Sequence, residues 1–439
     1  MRLYLTSVGC RLNQAEMDDL AQRAQAAGLT LVRSPQDCDL AVVNSCSVTA
    51  AAASDSRSAA ARIHRRQPAA DILLTGCWAT LERSHAACLP GVHAVVPNEA
   101  KDRILSGLIA RRHHAMASPA DFAPPARRTR PVIKVQDGCD HHCTYCVAVR
   151  ARGAARSLPL QTVVEQVQRA EAHGALEVIL TGLQLGAYGR GLPGRISLAD
   201  LLETLLRETA LPRFRLSSLE PWSVDDRLLE MWRDARLCRQ LHLPLQSGAA
   251  ATLRRMGRPM TPGAYEGLAR RARQAIPGLA LMTDLLVAFP GETPAEFDTS
   301  MAFVERMAFA RVHVFTYSLR PNTAAAGLSD RVPAAIARQR VAFALQLAAR
   351  GERTFADAHI GSVRQVLWET PRWFPGEGWR LRGLTDDGLR VVTTSRSPLH
   401  NILSPVRLRS LRPDGALQAQ ILDDLPPPFA CAAAPPGRG

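Results

Sequence analysis

Over the first 110 or so residues, apolar runs alternate with helix-periodic stretches. LYLTSV is followed by a polar helical stretch from Glu16 to Ala27, then DLAVVN, a long Ala/Arg-rich helix, ILLTG and a fourth short strand at HAVVP. Short apolar strands separated by helices predict a parallel α/β sheet, because parallel neighbours need crossover helices. Residues 111–131 lack periodicity and are rich in Pro and Arg, which reads as a linker. Six further apolar strands then recur with helices between them: VIKV, EVILTG, RFRLSS, LHLPLQ, LMTDLLVAF and RVHVFTYS. Six βα units predict an incomplete (βα)6 barrel rather than the eight-unit kind, with its site at the carboxyl ends of the strands. A helix over about 334–358 leads to short β-like runs broken by Gly, Pro and Asp, the pattern of a small β-barrel. The expected fold class is therefore α/β, divided into 1–110, the linker, 132–358, 359–422 and a disordered tail at 423–439.

Composition narrows the class. With 439 residues, 46% hydrophobic and 21% charged, a small disulfide scaffold and wholesale disorder are excluded. No run approaches the ~18 uninterrupted apolar residues of a membrane span, and MRLYLTSVGC reads as a strand rather than an export signal. The expectation is a cytoplasmic protein with no membrane partner. Lys and Arg outnumber Asp and Glu by 54 to 40, and Lys101 and Lys134 are the only lysines. Such a cationic, arginine-dominated chain suits a polyanion, because guanidinium groups fork phosphates and stack on bases.

Ten cysteines in a chain without an export signal read as metal ligands before disulfides. Cys139, Cys143 and Cys146 form a Cys-x3-Cys-x2-Cys run just after the first barrel strand. Three thiolates on one tight loop can hold three irons of a 4Fe-4S cube and leave the fourth open. That open iron can bind S-adenosylmethionine through its amine and carboxylate. The reduced cluster then breaks a carbon–sulfur bond to give a 5'-deoxyadenosyl radical, a catalytic role for all three cysteines. Zinc, recruiting His141 or His142, is the competing reading.

Cys10, Cys46 and Cys77 are widely spaced, but each ends one of the first three strands. Parallel strands point the same way, so the three thiols emerge on one sheet edge, an address that suits a second three-thiolate cluster. Cys38, Cys88 and Cys238 lack such an address and read as ordinary cysteines, and Cys431 falls in the tail.

These residues resemble the radical S-adenosylmethionine methylthiotransferases. The resemblance runs through GCRLNQAE, VNSCSVTAAAASDSR, TGCWAT, QDGCDHHCTYCVAVRARGAARS, EVILTGLQLGAYG, RLSSLEPWSVDD, LHLPLQSGAAATLRRMGRPMT, TDLLVAFPGET and VHVFTYSLRPNTAA. LTG-x-x-LG-x-YG and SSLEP look most like the branch that modifies N6-threonylcarbamoyladenosine in tRNA. The last segment is similar to a TRAM domain, a small RNA-binding barrel. His142 stands where an aromatic is usual, Val149 where Pro is usual, and Ala288 where the family has Gly.

The resemblance implies addition of a methylthio group to C2 of that adenosine at tRNA position 37, with two 4Fe-4S clusters and S-adenosylmethionine as cofactors. It further implies that backbone groups at Thr181 and Gly182 meet the methionine part of the cosubstrate, and that Asn13 and Gln14 shape the pocket beside Cys10. Expected partners are tRNA and a reductant protein such as a flavodoxin or ferredoxin; the sulfur donor stays open. Arg254, Arg255 and Arg258, with Arg62, Arg65 and Arg66, are candidate phosphate contacts, a solvated helix face being the simpler reading of each set. Isopentenyladenosine or a ribosomal protein as substrate, and a non-catalytic metal-containing RNA-binding protein, are the alternatives.

Overall fold

A computed structural model describes residues 1–112 and 128–422. Most of the expected linker and all of the expected tail, including Cys431, lie outside the described residues.

The N-terminal unit runs β1 (Arg2–Ser7), α1 (Arg11–Ala26), β2 (Thr30–Leu31), β3 (Leu40–Ser45), α2 (Ala50–Arg66), β4 (Asp71–Gly76), α3 (Cys77–Leu81), α4 (Arg83–Ala87), β5 (Val92–Val96) and α5 (Arg103–Arg112). The strands form one parallel sheet in the order β2-β1-β3-β4-β5. Side chains alternate across it. Ala41, Val43, Ile72 and Leu74 pack under α2, while Leu3, Leu40 and Val42 pack with Met17, Leu20, Ile104 and Leu108 on the other face. Central β3 is buried throughout, as a strand covered on both faces must be. The first helix begins at Arg11 rather than Glu16, because Cys10 takes the extended N-cap position. Two-residue β2 is too short to show a period.

The second unit runs β6 (Val132–Lys134), β7 (Gln136–Asp137), α6 (Ala148–Arg152), β8 (Arg156–Ser157), α7 (Leu160–Ala172), β9 (Glu177–Thr181), α8 (Leu198–Glu208), β10 (Arg213–Leu216), α9 (Asp226–Glu230), β11 (Gln240–His242), α10 (Ala250–Arg255), α11 (Pro262–Ala275), β12 (Ala280–Val287), α12 (Pro294–Arg306), β13 (Arg311–Thr316) and α13 (Ala334–Asp357). Parallel pairings link β6-β9-β10 and β11-β12-β13, and isolated bridges at Phe214↔Leu237 and Ser218↔His242 join the halves into an open six-stranded barrel. Reciprocal capping boxes at Ser197/Asp200 and Thr293/Glu296 start α8 and α12. LHLPLQ contributes only Leu241 and His242 to β11, because Pro244 has no N–H to continue the ladder.

The period-2 rule divides this barrel into two faces. Ile133, Val135, Val178, Leu180, Phe214, Leu216, Leu241, Leu281, Leu285 and Val287 point outward into the helix-covered core. The intervening residues face inward: Glu177, Ile179 and Thr181; Arg213 and Arg215; Gln240 and His242; Met282, Asp284 and Leu286; Arg311, His313 and Phe315. Barrel interiors are usually filled by aliphatic side chains. This one is largely polar and open to the N-terminal unit, whose Ala15 packs on Val132 and Ile179.

The last unit contains β14 (Val363–Trp368), β15 (Arg372–Phe374), β16 (Gly378–Thr385), β17 (Arg390–Ser395), β18 (Leu403–Leu411) and β19 (Leu417–Ile421). The order β14-β18-β19-β17-β16 closes through a β14–β16 pairing into a five-stranded barrel around Trp368, Leu381, Val406 and Leu408, with β15 as an added edge strand. It stoppers the amino-terminal end of the larger barrel. Arg215 donates to the carbonyls of Thr385 (3.0 Å) and Asp386 (3.1 Å), and Arg239 pairs with Asp386 at 2.6 Å. Only the carboxyl-end mouth and the open side of the larger barrel remain for chemistry.

Candidate active site at the facing cysteine loops

Cys139, Cys143 and Cys146 lie on the loop between β7 and α6. Backbone bonds pin it: Cys139 N–H donates to Gly153 O (3.1 Å), Thr144 N–H to Met256 O (3.0 Å) and Cys146 N–H to Cys143 O (3.0 Å). The backbone N–H groups of His141 and Ala148 each donate to a sulfur, those of Cys139 and Cys146, at 3.4 Å. Donors aimed at sulfur favour thiolate and metal-bound forms. Burial pushes the Cys139 thiol up to about 11 and raises Cys146 as well. These two thiols are costly to ionise without a cation, whereas a coordinating metal deprotonates a thiol outright.

Cys10 caps α1, Cys46 follows β3 and Cys77 opens α3, so the three strand ends deliver their thiols to one edge. The preceding glycines make this approach possible. A Cβ on Gly9 (φ +90°) would stand 2.4 Å from Cys46 Sγ, and one on Gly76 (φ +97°) would stand 2.3 Å from Ser45 O. Both positions combine a left-handed φ with a close approach, and only glycine satisfies both. Burial raises the pKa of Cys46, and the nearby thiols of Cys10 and Cys77 raise it further.

The two loops face one another. α3 packs on α6, the charge of Cys77 reaches Cys146, and Asn98 Nδ2 donates both to Cys77 Sγ (3.8 Å) and to Ala151 O of α6 (2.6 Å). The residue set whose ligand atoms all fall within 4.8 Å of one another, among the described residues, is His242, Asp284 and His313, and neither cysteine set. A single zinc at ~2.3 Å from each sulfur needs tighter clustering than either set shows. His141 does not supply the missing ligand through Nε2, which accepts the Trp222 N–H at 2.9 Å. The donor chemistry and spread thus fit a polynuclear iron–sulfur group at each set.

A buried charged network holds the facing arrangement. Glu16 Oε1 accepts from Arg152 (2.8 Å) and Lys134 (3.1 Å), and Oε2 from Lys101 (2.5 Å) and Asn44 Nδ2 (2.9 Å). Arg152 also bonds Asp137 (2.9 Å) and Asn13 Oδ1 (2.6 Å), while Asn13 Nδ2 donates to Val8 O and Ser45 O. Asn13 thereby ties the Cys10 and Cys46 turns to the residue that ends α6. Both lysines of the chain converge on this one carboxylate. Burial alone would raise the pKa of Glu16, but Lys101, Arg152 and Lys134 hold it well below the usual carboxylate range.

Thr181 and Gly182 end β9 beside the first cysteine loop. Gly182 leaves room for Gln136, whose Oε1 a Cβ would meet at 2.7 Å; the same oxygen accepts Gln184 N–H (2.8 Å), and Gln184 Oε1 accepts Asp140 N–H (3.1 Å). Across the mouth, Arg258 stacks on Trp222 at 4.5 Å, and burial raises Glu220 to about 7 and leaves its Oε2 without a hydrogen-bond partner. Its charge reaches Cys139. Glu220 sits within the SSLEP run, yet the sequence pattern alone does not single it out; an acidic residue just past a barrel strand was the available signal.

Two of the candidate phosphate contacts have partners within the fold. Arg255 pairs with Glu296 (2.5 Å) and Arg258 donates to Pro244 O, whereas Arg254 and the α2 arginines are exposed. Ala288 holds φ +59°, the left-handed region that explains the glycine usual there, at a cost of about 1–2 kcal/mol.

Residues 133–304 match the Radical SAM superfamily, and residues 2–96 match Uncharacterized protein family UPF0004. The chain is 32% identical over 385 residues to a threonylcarbamoyladenosine tRNA methylthiotransferase MtaB of Thermotoga maritima, covering 85% of this chain and 87% of that one. It is 30% identical over 401 residues to the Bacillus subtilis protein of the same name, covering 88% and 89%. A tRNA-2-methylthio-N(6)-dimethylallyladenosine synthase of Chloroflexus aurantiacus is 32% identical over 438 residues, covering 96% and 92%. Among solved structures, the radical S-adenosylmethionine methyltransferase TsrM of Kitasatospora setae superposes with a TM-score of 0.56 at 15% identity, covering 74% of this chain and 77% of that one. At that identity the likeness is one of fold.

Proposed function

The chain belongs to the tRNA methylthiotransferases of the radical S-adenosylmethionine superfamily, and we propose that it adds a methylthio group to C2 of N6-threonylcarbamoyladenosine at position 37 of tRNA. The observation that carries this reading is the facing of two three-cysteine sets across α3 and α6. A C2 hydrogen on an adenine ring has no useful acidity, so an acid–base site is inadequate. Cys139, Cys143 and Cys146 would hold a 4Fe-4S cluster, which with S-adenosylmethionine bound would supply the one-electron chemistry needed to remove such a hydrogen. Cys10, Cys46 and Cys77 would hold a second 4Fe-4S cluster, where sulfur is kept for transfer.

The chain's own groups do the rest. The backbone donors at His141 and Ala148 stabilise the first set of thiolates, Thr181 and Gly182 line the cosubstrate's approach, and Glu220 offers a carboxylate to its ammonium. Residues 1–110 would carry the second cluster, 132–358 the radical chemistry and 359–422 RNA affinity, since Arg372, Arg382 and Arg396 are exposed on the small barrel. A low-potential protein such as a flavodoxin or ferredoxin would supply electrons. Among the described residues no helix is long and apolar enough to cross a membrane, and a tRNA substrate supports a cytoplasmic reaction.

Reconstituted protein given anticodon stem-loops bearing either threonylcarbamoyladenosine or dimethylallyladenosine tests the substrate. Product from the first and none from the second supports the proposal; the reverse pattern refutes it. The charged inner wall of the barrel favours the first, because an apolar prenyl group gains nothing from desolvating it.

A further inference from the structure

Strand register places a row of polar side chains on the inner wall of the larger barrel. Ser218 is bridged to His242, Asp284 is paired with His313, and Asp284 stands two residues beyond Met282, the partner of His242. Two residues make one side-chain period, so His242, Asp284 and His313 emerge on one face from the adjacent strands β11, β12 and β13. Their neighbours Leu241, Leu243 and Leu285, with Val312 and Val314, turn to the helix-covered side. His242 Nε2 stands 2.9 Å from Asp284 Oδ1, His313 Nδ1 stands 3.5 Å from the same oxygen, and the ligand atoms of the three residues lie within 4.8 Å of one another.

Hydrogen bonding alone does not complete this cluster. The Asp284 side chain is 19% exposed, and among the described residues it pairs with no lysine or arginine, so only the two imidazoles can compensate its charge. At 3.5 Å the His313 contact is longer than the ~2.7–3.2 Å of an N–H···O hydrogen bond. Two donors held ~2.1 Å from one metal, by contrast, stand roughly 3.0–3.4 Å apart at octahedral or tetrahedral angles. Ser218 Oγ meets His242 Nδ1 at 3.2 Å. A proton held on Nδ1 by that serine leaves Nε2 with a lone pair aimed at a carboxylate oxygen, two acceptors that a cation between them reconciles. The two imidazole rings stand at 81° with centroids 5.2 Å apart, so they converge on the carboxylate without stacking. His242 is the more buried of the pair and His313 is 44% exposed, which anchors the cluster at one end and leaves it reachable from solvent at the other.

We propose that His242 Nε2, Asp284 Oδ1 and His313 Nδ1 bind one divalent transition cation of the zinc class, with its remaining coordination positions open to the barrel lumen. Two imidazoles and one carboxylate select such an ion over magnesium or calcium, which take oxygen ligands. A single carboxylate leaves the bound dication with a net positive charge, so the open positions take water or an anionic oxygen. This site is separate from both cysteine sets. It contains no thiol, and its ligands come from β11, β12 and β13, whereas the Cys139 loop follows β7 and the other cysteines belong to the N-terminal sheet. It is also independent of the proposed function, which uses none of these three residues.

The test equilibrates iron–sulfur-reconstituted holoenzyme with zinc(II), removes free metal by gel filtration, counts bound zinc by elemental analysis and reads its neighbours by zinc-edge X-ray absorption. Wild type should hold about one zinc per chain, with nitrogen and oxygen neighbours at ~2.0–2.2 Å, imidazole scattering and no sulfur at ~2.3 Å. His313→Ala and Asp284→Asn should each lose that zinc, and Ser218→Ala should weaken its Kd by roughly tenfold or more, the scale of a lost orienting partner. The wild-type reading needs no substitution, so a variant that misfolds does not blunt the test. Absence of bound zinc in the wild type, sulfur among its neighbours, or zinc retained undiminished by both His313→Ala and Asp284→Asn overturns the inference. None of these readings involves tRNA or turnover, so each outcome leaves the proposed function standing.

Discussion

Replacing Glu16 by Gln keeps its volume and removes one negative charge from a site in which Lys101, Lys134 and Arg152 all face it. Its side chain is 5% exposed and that of Arg152 is 1% exposed, so water does not take over the lost interactions. Breaking a buried ion pair typically costs about 3–5 kcal/mol, most of it from the cation left behind. Asp137 still neutralises Arg152 at 2.9 Å, which places Glu16→Gln towards the lower end, about 3 kcal/mol. The loss should concentrate where the two units meet, because Lys101 belongs to one and Arg152 and Lys134 to the other.

Hydrogen exchange of α1 and α6 amides, with urea titration of the apo protein, measures the effect. A cycle with Arg152→Met should return a coupling of ~1–3 kcal/mol. The pKa of Glu16 is depressed on folding from a usual value of 4.5. Its contribution is therefore complete above that value and is lost as pH falls through the lower folded value. Wild type should lose stability over that acid range and Glu16→Gln should lose less. Coupling below about 0.5 kcal/mol at neutral pH would show that the network is incidental to docking.

Other outcomes follow from the same geometry. Cys139→Ala should lose about half the iron of a protein holding two four-iron clusters and all reductive cleavage of S-adenosylmethionine, whereas joint replacement of Cys10, Cys46 and Cys77 should spare that cleavage and abolish thiomethylation; deoxyadenosine from the first variant or wild-type product from the second would refute the division of roles. Glu220 is raised to about 7 by burial, so its carboxylate forms as pH rises through that value, and affinity for the cosubstrate's ammonium should rise with it between pH 6 and 8, roughly; Glu220→Gln should flatten the profile, and an unaltered slope would remove Glu220 from the binding site. Replacing Arg372, Arg382 and Arg396 with Ala should lower the salt slope of tRNA binding by roughly 0.7–0.9 for each phosphate no longer neutralised; an unchanged slope would leave these arginines merely solvated.

The cysteine sets were legible in the sequence because strand direction carries positional information. Three parallel strands ending in Cys10, Cys46 and Cys77 share an edge wherever the helices go. The demand for glycine at Gly9 and Gly76 became visible only in the structure, where a Cβ at either position would strike a neighbouring residue. The Glu16 network was not legible, because Glu16 and Arg152 meet across 136 residues and only docking of the two units brings them together. The partners of Arg255 and Arg258, Glu296 and Pro244 O, lie in other elements and were equally illegible. Strands β2 and β15 carry too few alternating positions for a period to register, and β11 was overestimated because the apolar pattern continues past a proline that the ladder cannot use.

Nucleoside mass spectrometry of bulk tRNA from a strain lacking this gene, complemented with wild type or with Cys139→Ala, tests the central claim most directly. The account predicts that 2-methylthio-N6-threonylcarbamoyladenosine disappears in the deletion, that its unthiolated precursor accumulates, and that only the wild-type copy restores it. Persistence of the thiomethylated nucleoside in the deletion, or loss of the dimethylallyl derivative in its place, would contradict it.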